Sequence, residues 1–380
     1  MFCLDGIKNL DITRKQVRMG NKIALLSISL IKGGAENQLV KLAVDLKKRG
    51  NSVSIIALLP DNDFIEILKE NNIPYNLILL KNILSLKKVV AHFKVLKPDV
   101  IISFMFGANI IGRLVRFFTG IPLITSVRNN MIDKKFYFLY KLTHQIDTIT
   151  TFNSSFSFNK FVEKKLTNPS KSYLVNNSIE VPDESVISDK NNFADCFTIT
   201  SMAHFRPQKD YRTLIEAIKI VKERGKKVKV FILGHLYNNK WPFELLKKYE
   251  LESFIEIVGF KKSPRPYLNK SNAVVLSSLW EGTPNALLEG MANKLPVISS
   301  EIPGCKELLE DSKGGLLFEM QNAEDLADKI IQLMEMSDDE RKEISENGYK
   351  HVAENYASKI VYDKWSEMIN KALLKRYNRI

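Results

Sequence analysis

Short apolar runs alternate along the chain with longer amphipathic segments, which is the pattern of βαβ units built around a parallel sheet. Lys22–Ser29 reads as the first strand. Glu36–Arg49 follows as a helix with Leu39, Leu42, Ala43 and Leu46 on one face, stopped by Gly50. Val53–Leu59 and Tyr75–Leu80 are the next strands, with a short helix at Phe64–Glu70 between them. Helices are expected at Leu84–Leu96 and Asn109–Phe118, and strands at Val100–Phe104, Leu123–Ser126, Thr148–Thr151 and Tyr173–Asn176. Their continuous apolar character suits strands covered on both faces.

The rhythm breaks at residues 180–195, where Pro182 and five acidic residues stand among few apolar ones. Such a stretch reads as an interdomain linker. A second alternation follows, with strands at Thr198–Met202, Val228–Leu233, Ile255–Val258, Ala273–Ser277 and Val297–Ser299. Its helices are Tyr211–Arg224, Phe243–Tyr249, Tyr267–Lys270, Pro284–Ala292 and Ala323–Met336, and Ala357–Arg376 forms a last long helix. The expected fold is therefore α/β, with two Rossmann-like domains whose parallel sheets face each other across a cleft. The domains are placed at 19–182 and 196–360, joined by a linker at 183–195, with a helix at 361–380 packing back on the first. Residues 1–18 lead into no apolar period and read as an unstructured or non-native extension, with translation beginning at Met19. In tandem sheets of this kind the ligand lies at the carboxyl ends of the strands.

Composition agrees with a soluble two-domain protein. The chain has 380 residues, too many for one ordinary core, with 45% hydrophobic and 26% charged residues. No apolar run reaches the roughly 18–20 residues of a membrane span, and residues 1–18 hold no secretory signal. Cys3, Cys196 and Cys305 have no metal-ligand spacing, which points to a reducing cytoplasm and no disulfide framework. The net charge of +13 is uneven: residues 1–190 hold 27 Lys/Arg against 16 Asp/Glu, and the rest 29 against 27. That asymmetry favours an anionic partner, whether lipid, a phosphate-bearing acceptor or nucleic acid. Nucleic acid ranks last, since there is no zinc spacing, aromatic RNA-binding signature or basic recognition helix. NAD chemistry is disfavoured too, because no Gly-x-Gly-x-x-Gly follows the first strand.

The most informative stretch is Trp280-Glu281-Gly282-Thr283-Pro284-Asn285-Ala286-Leu287-Leu288-Glu289, directly after a strand. Thr283 suits an N-cap and Pro284 the first helical position, leaving the N–H groups near Asn285 and Ala286 free for a diphosphate. Carboxylates nearby match the two adjacent hydroxyls of a sugar, through charge-assisted hydrogen bonds. Glu289 is thus the candidate for the ribose and Glu281 for the donor sugar. Solvated carboxylates at a helix end are the plainer alternative.

This block resembles the Glu-x7-Glu signature of the family 4 retaining glycosyltransferases, which have the GT-B fold. The resemblance extends over nearly the whole chain from Met19. Gly33-Gly34-Ala35-Glu36 is similar to the family's first loop, and Phe205-Arg206-Pro207-Gln208-Lys209-Asp210 to the start of its second domain. Pro303-Gly304-Cys305-Lys306-Glu307-Leu308 and Gly314-Gly315-Leu316-Leu317-Phe318 are similar to the region after the signature. The resemblance implies a first domain that binds the acceptor and a second that binds the nucleotide sugar. It also implies a basic pair that neutralises the leaving diphosphate. Lys209 fits one place; the other falls on His204, a departure, and Arg206 two residues on is the candidate in its stead. Gly33 and Gly34 would let the backbone approach the donor. Asn285, Ala286 and Leu287 would offer N–H groups, and Gly234 would border the base and ribose. Where the family often has a histidine, the loop from Ser103 to Asn109 has none. Asn109 and Arg128 remain as candidates for acceptor contacts.

No pair of carboxylates is spaced as nucleophile and acid; retention by front-side attack is what the resemblance implies. No Asp-x-Asp or metal cluster is seen, and no cofactor is expected beyond a nucleotide diphosphate sugar, UDP-linked in preference to GDP-linked. The acceptor is expected to be a saccharide or lipid-linked saccharide of a surface polysaccharide. Aromatics interleave with lysines at Met131–Leu142, and Arg113–Phe118 is similar in kind, so an anionic membrane surface is an expected partner. The protein would then be peripheral on the inner face of the cell membrane. A nucleotide-sugar epimerase of the same fold is the alternative enzyme.

Overall fold

The computed structural model describes residues 20–31, 33–128, 134–183, 187 and 196–377. The expectations for residues 1–18 and Met19, and for most of the linker at 183–195, lie outside the described residues.

Two open parallel sheets stand in tandem. The first is built from β1 (Lys22–Ser27), β2 (Ser52–Ala57), β3 (Tyr75–Leu77), β4 (Val100–Phe104), β5 (Leu123–Val127), β6 (Ile149–Phe152) and β7 (Ser172–Leu174). Their order is β3-β2-β1-β4-β5-β6-β7, so the winding reverses between β1 and β4 and opens a crevice at that point. Strands such as β4 and β5 are buried at every position, which explains their unbroken apolar reading. Leucines and alanines of α1 (Gly34–Lys48), with Leu68 of α2 (Ile65–Glu70), cover one face. The opposite face is covered by α3 (Ile83–Leu96), α4 (Phe106–Thr119), α5 (Lys134–Thr143) and α6 (Ser155–Glu163).

The second sheet comprises β8 (Phe197–Met202), β9 (Val228–Leu233), β10 (Ile255–Gly259), β11 (Ala273–Leu276), β12 (Val297–Ser300) and β13 (Gly315–Phe318), in the order β10-β9-β8-β11-β12-β13. Among its helices α7 (Tyr211–Glu223), α8 (Trp241–Lys248) and α12 (Ala323–Glu335) pack on one side. On the other lie α9 (Arg265–Leu268), α10 (Asn285–Ala292), α11 (Pro303–Ser312) and α13 (Asp338–Asn355).

The last helix, α14 (Ser358–Tyr377), returns to the first domain. Val361, Trp365, Met368, Ile369 and Ala372 join that domain's core, and the Trp365 ring stacks on Phe104 with centroids 5.7 Å apart. Each such large side chain contributes about 1.5–3 kcal/mol on burial. The chain crosses between domains at two adjacent places, since Ile179 and Ala357 form a parallel bridge.

The apolar periodicity does not predict five of these elements: α5, α6, α11, β13 and α13. The last is polar on nearly all sides and buries only Gly348 and Val352, so no apolar stripe marks it. Its readable sign is the capping box between Ser337 and Glu340.

Candidate active site

The cleft between the domains is walled by loops that leave the carboxyl ends of the strands. From β11 the chain runs through Ser277–Thr283 into α10, and this loop is sewn to the turn at Pro207–Lys209. Ser277 Oγ donates to the Lys209 carbonyl at 2.9 Å and Leu279 N–H to the Gln208 carbonyl at 2.8 Å. Lys209 Nζ is thereby brought onto the Glu281 carboxylate in a direct ion pair, and Ser278 Oγ donates to the same carboxylate at 2.8 Å. Both members are largely enclosed, with side chains 18% and 14% exposed.

Thr283 and Pro284 stand one position earlier than expected relative to the helix. The α10 helix begins at Asn285 with Pro284 as its N-cap, and no side chain caps it. Thr283 Oγ1 instead donates to the Asn153 carbonyl of the first domain at 2.6 Å. This bond holds the signature loop across the cleft. The N–H groups of Asn285 and Ala286 precede the first helical bond, which Leu287 makes to Pro284. Leu287 itself is buried with its N–H occupied, so of the three expected donors it is the one turned inward.

Glu289 lies on α10 at the domain boundary. Burial pushes its carboxyl above the usual carboxylate range, and the charge of Lys41, on α1 of the first domain, opposes that shift. Arg206 stands apart from Lys209: its guanidinium lies 5.5 Å from the Tyr237 ring centroid and donates to the Tyr237 hydroxyl at 3.3 Å. Across from it Glu36 of α1 is also raised by burial, with a hydrogen bond from its own backbone and then the Arg206 charge acting the other way.

Two glycines of the first loop face this wall. Gly33 caps α1 in extended backbone, and a Cβ there would lie 2.4 Å from Glu36 Oε2. A Cβ on Gly34 would lie 3.5 Å from Asn285 Nδ2, so the start of α1 directly faces the start of α10. Gly234 closes β9 where a Cβ would come within 1.9 Å of the Ala203 carbonyl, which only glycine avoids. Beyond it His235 stacks on Phe260, with centroids 4.5 Å apart, and its N–H donates to His204 Nδ1 at 3.1 Å. His204 thus belongs to an aromatic cluster at the ends of β8, β9 and β10.

The acceptor candidates are placed differently from expectation. Asn109 is fully buried: it accepts from Ser103 Oγ at 2.7 Å and donates to the Ser126 carbonyl at 3.2 Å and the Tyr140 hydroxyl at 3.5 Å. Its first-turn position on α4 points it into the domain, which corrects its assignment to the cleft. Arg128 is 8% exposed, and burial lowers its pKa to about 9. It donates to Ser126 Oγ at 2.8 Å, and to the Val175 carbonyl and Asn177 Oδ1 at 3.0 Å each, with Phe104 and Trp365 beneath it. It braces the floor of the cleft by its side chain, while its carbonyl faces Gly282.

Several residues at the site were not singled out from sequence. Glu307, midway along α11, accepts from the N–H groups of Ser155 and Phe156 at 2.8 and 3.0 Å, capping α6 from the other domain. Asn177 Nδ2 donates to the Thr283 carbonyl at 3.1 Å and to Asn285 Oδ1 at 2.9 Å. Gly304 lets α11 pass under the signature loop, where a Cβ would sit 1.7 Å from the Gly282 carbonyl. Their partners are over a hundred residues distant, or joined only by packing, and no local pattern marks them. Among the described residues no group of three His, Cys, Asp or Glu is placed to hold a metal, and no helix is long and apolar enough to cross a membrane.

The family model described as Glycosyltransferase Family 4 matches residues 32–181, and that described as Glycosyl transferases group 1 matches residues 183–351. The uncharacterized glycosyltransferase MJ1059 of Methanocaldococcus jannaschii is 28% identical over 61% of this chain. The match takes in 62% of that relative, short of two thirds of its length. The capsular polysaccharide biosynthesis glycosyltransferase CapM of Staphylococcus aureus is 22% identical over 82% of this chain and 86% of its own. The crystal structure of Anabaena Alr3699/HepE in complex with UDP and glucose superposes with a TM-score of 0.78 at 19% identity, covering 92% of this chain and 99% of that one. Both halves of the chain thus belong to glycosyltransferase families, and together they form the GT-B fold.

Proposed function

We propose that the cleft transfers a hexose or N-acetylhexosamine, with retention and without a metal ion, from a UDP- or GDP-sugar to a saccharide or lipid-linked saccharide acceptor. The pathway would be surface polysaccharide or glycolipid synthesis, on the inner face of the cell membrane. The observation that carries the reading is the meeting, on one wall, of the Lys209–Glu281 pair with the uncapped start of α10. The capsular relative and the UDP-bound neighbour support the substrate class.

In this reading the diphosphate lies on the Asn285 and Ala286 N–H groups, with Lys209 and Arg206 as its cations. Glu289 takes the ribose hydroxyls, and the base lies beyond Gly234 toward His235 and Phe260. In the free protein Lys209 and Glu281 neutralise each other. A bound donor gives each a new partner, phosphate for the lysine and sugar hydroxyls for the glutamate, so neither is left buried and unpaired. As the anomeric C–O bond breaks, its electron pair passes to the diphosphate, where the cations stabilise the developing charge. The acceptor hydroxyl forms the new bond on the same face and passes its proton to the departing phosphate oxygen. Arg128 braces the floor beneath the acceptor.

Thermal shift and hydrolysis against a panel of UDP- and GDP-sugars test this, because a bound donor raises the melting temperature by mass action. The expected result is one donor that stabilises the chain and is turned over in the presence of EDTA, with both effects lost in Glu289→Ala. Undiminished donor binding by that variant would overturn the reading. Conversion of the donor to its epimer with no transfer would replace it by the epimerase alternative.

A further inference from the structure

The helices α3 to α6 lie side by side on one face of the first sheet, and each runs back from the cleft end of the strands. Their carboxyl-terminal halves therefore share the rim at the amino ends of the strands, opposite the cleft. Large apolar side chains stand in solvent on that rim. Val95 at the end of α3 is 83% exposed, Phe117 and Phe118 at the end of α4 are 71% and 55% exposed, and Leu142 at the end of α5 is 63% exposed. Single exposed apolar residues are common, but a group on adjacent helix ends marks an interaction surface.

Charge on the same rim is predominantly positive. Lys94, Lys97, Lys141, Lys164 and Lys165 are exposed at these helix ends. Residues 81–171 hold fifteen Lys/Arg against four Asp/Glu, which accounts for the entire positive excess of residues 1–190. Two of those acids are engaged: Asp99 accepts the Lys22 N–H at 2.8 Å, and buried Asp147 takes Arg113 at 2.7 Å. A third, Glu163, is exposed among the lysines. A second copy of this rim would bring like charge against like charge, and a groove for a peptide would need walls that these helix ends do not supply. Aromatic tips set among lysines suit a surface that is apolar below and anionic above.

We infer that this rim docks on an anionic lipid bilayer, with the phenylalanines in the interfacial layer and the lysines over the lipid phosphates. The cleft then opens away from the lipid, at least a strand length above it; β4 has five residues, about 17 Å at roughly 3.3 Å per residue. If sugar transfer is the activity, and this clause alone rests on that reading, the acceptor hydroxyl is presented at a distance from the membrane. A lipid-linked acceptor would already carry several sugars.

The test is sedimentation of the full chain with vesicles of phosphatidylcholine alone or mixed with phosphatidylglycerol. Binding at least tenfold stronger to the mixed vesicles is expected, weakening as salt rises. The Phe117→Ser/Phe118→Ser and Lys94→Glu/Lys97→Glu double variants should each lose most of it. Neither pair belongs to the cleft, so donor hydrolysis in solution should be unchanged and shows that the variants are folded. Equal binding to both vesicle types, absence of binding, or variants that bind as the parent does would overturn the inference. So would preference for duplex DNA over the anionic vesicles. Failure of donor hydrolysis in every form would remove the sugar-transfer reading and leave the vesicle result standing.

Discussion

At the carboxyl ends of the second sheet, Lys209 and Glu281 form an ion pair, Arg206 lies apart against Tyr237, and Glu289 stands on the helix that follows the signature loop. At the same ends of the first sheet, Asn109 and Arg128 are turned inward and two glycines face out. The topologies match, yet the second domain presents the candidate gripping groups, while the first presents bare glycine backbone beside Glu36 and Lys41. A shared architecture therefore places a ligand without deciding which side grips it. Gripping side chains need support from within their own domain, as the bonds from Ser277 and Ser278 show, whereas an approaching wall needs only room.

The largest effect should come from breaking the gripping side. Lys209→Ala leaves Glu281 without its cation and the leaving diphosphate without a charge partner, and transfer should fall by about 10²–10³-fold. Steady-state rates check it, and a loss under tenfold would move the chemistry elsewhere. Gly234→Ala should cost several kcal/mol of stability, roughly 3, since its Cβ would meet the Ala203 carbonyl; denaturant melts measure it. On the facing side, Gly34→Ala meets Asn285 at an ordinary 3.5 Å, so the chain should fold normally and lose donor affinity only modestly.

Glu307→Gln tests what holds the two sides together. Replacing a charged acceptor at the start of α6 should cost about 1–2 kcal/mol and widen the cleft, visible as a larger radius of gyration in scattering. The smallest effect concerns Glu289. Its carboxyl is raised, so the native state binds that proton more tightly than the unfolded chain, and stability falls as pH rises through the shifted pKa. Glu289→Gln should therefore be slightly more stable than the parent near pH 7. The advantage should vanish in acid below the ordinary carboxylate range, while donor binding is lost at every pH. Melting curves across pH with and without donor check both statements.

The architecture was legible because buried parallel strands leave unbroken apolar runs and the helices between them leave a stripe. The signature loop was legible because its candidate residues, Glu281 to Glu289, lie within ten positions of each other. Legibility failed where structure depends on distant partners. Nothing near Glu307 signals that its acceptor role lies in the first domain, and nothing near Thr283 reveals that Asn153 would compete for its hydroxyl. Asn109 and Arg128 were misplaced for a related reason: a polar residue just beyond a strand, in a loop or the first turn of the next helix, looks the same in sequence whether it faces the cleft or the core.

The return of α14 to the first domain has a consequence for biogenesis. During synthesis the first sheet emerges early, but the face that Trp365 and its neighbours complete stays uncovered until the last helix leaves the ribosome. By then the second domain has been made in full. Nascent chains should thus finish folding in reverse order, the later domain first, and an arrest before Val361 would leave a hydrophobic face open to chaperones.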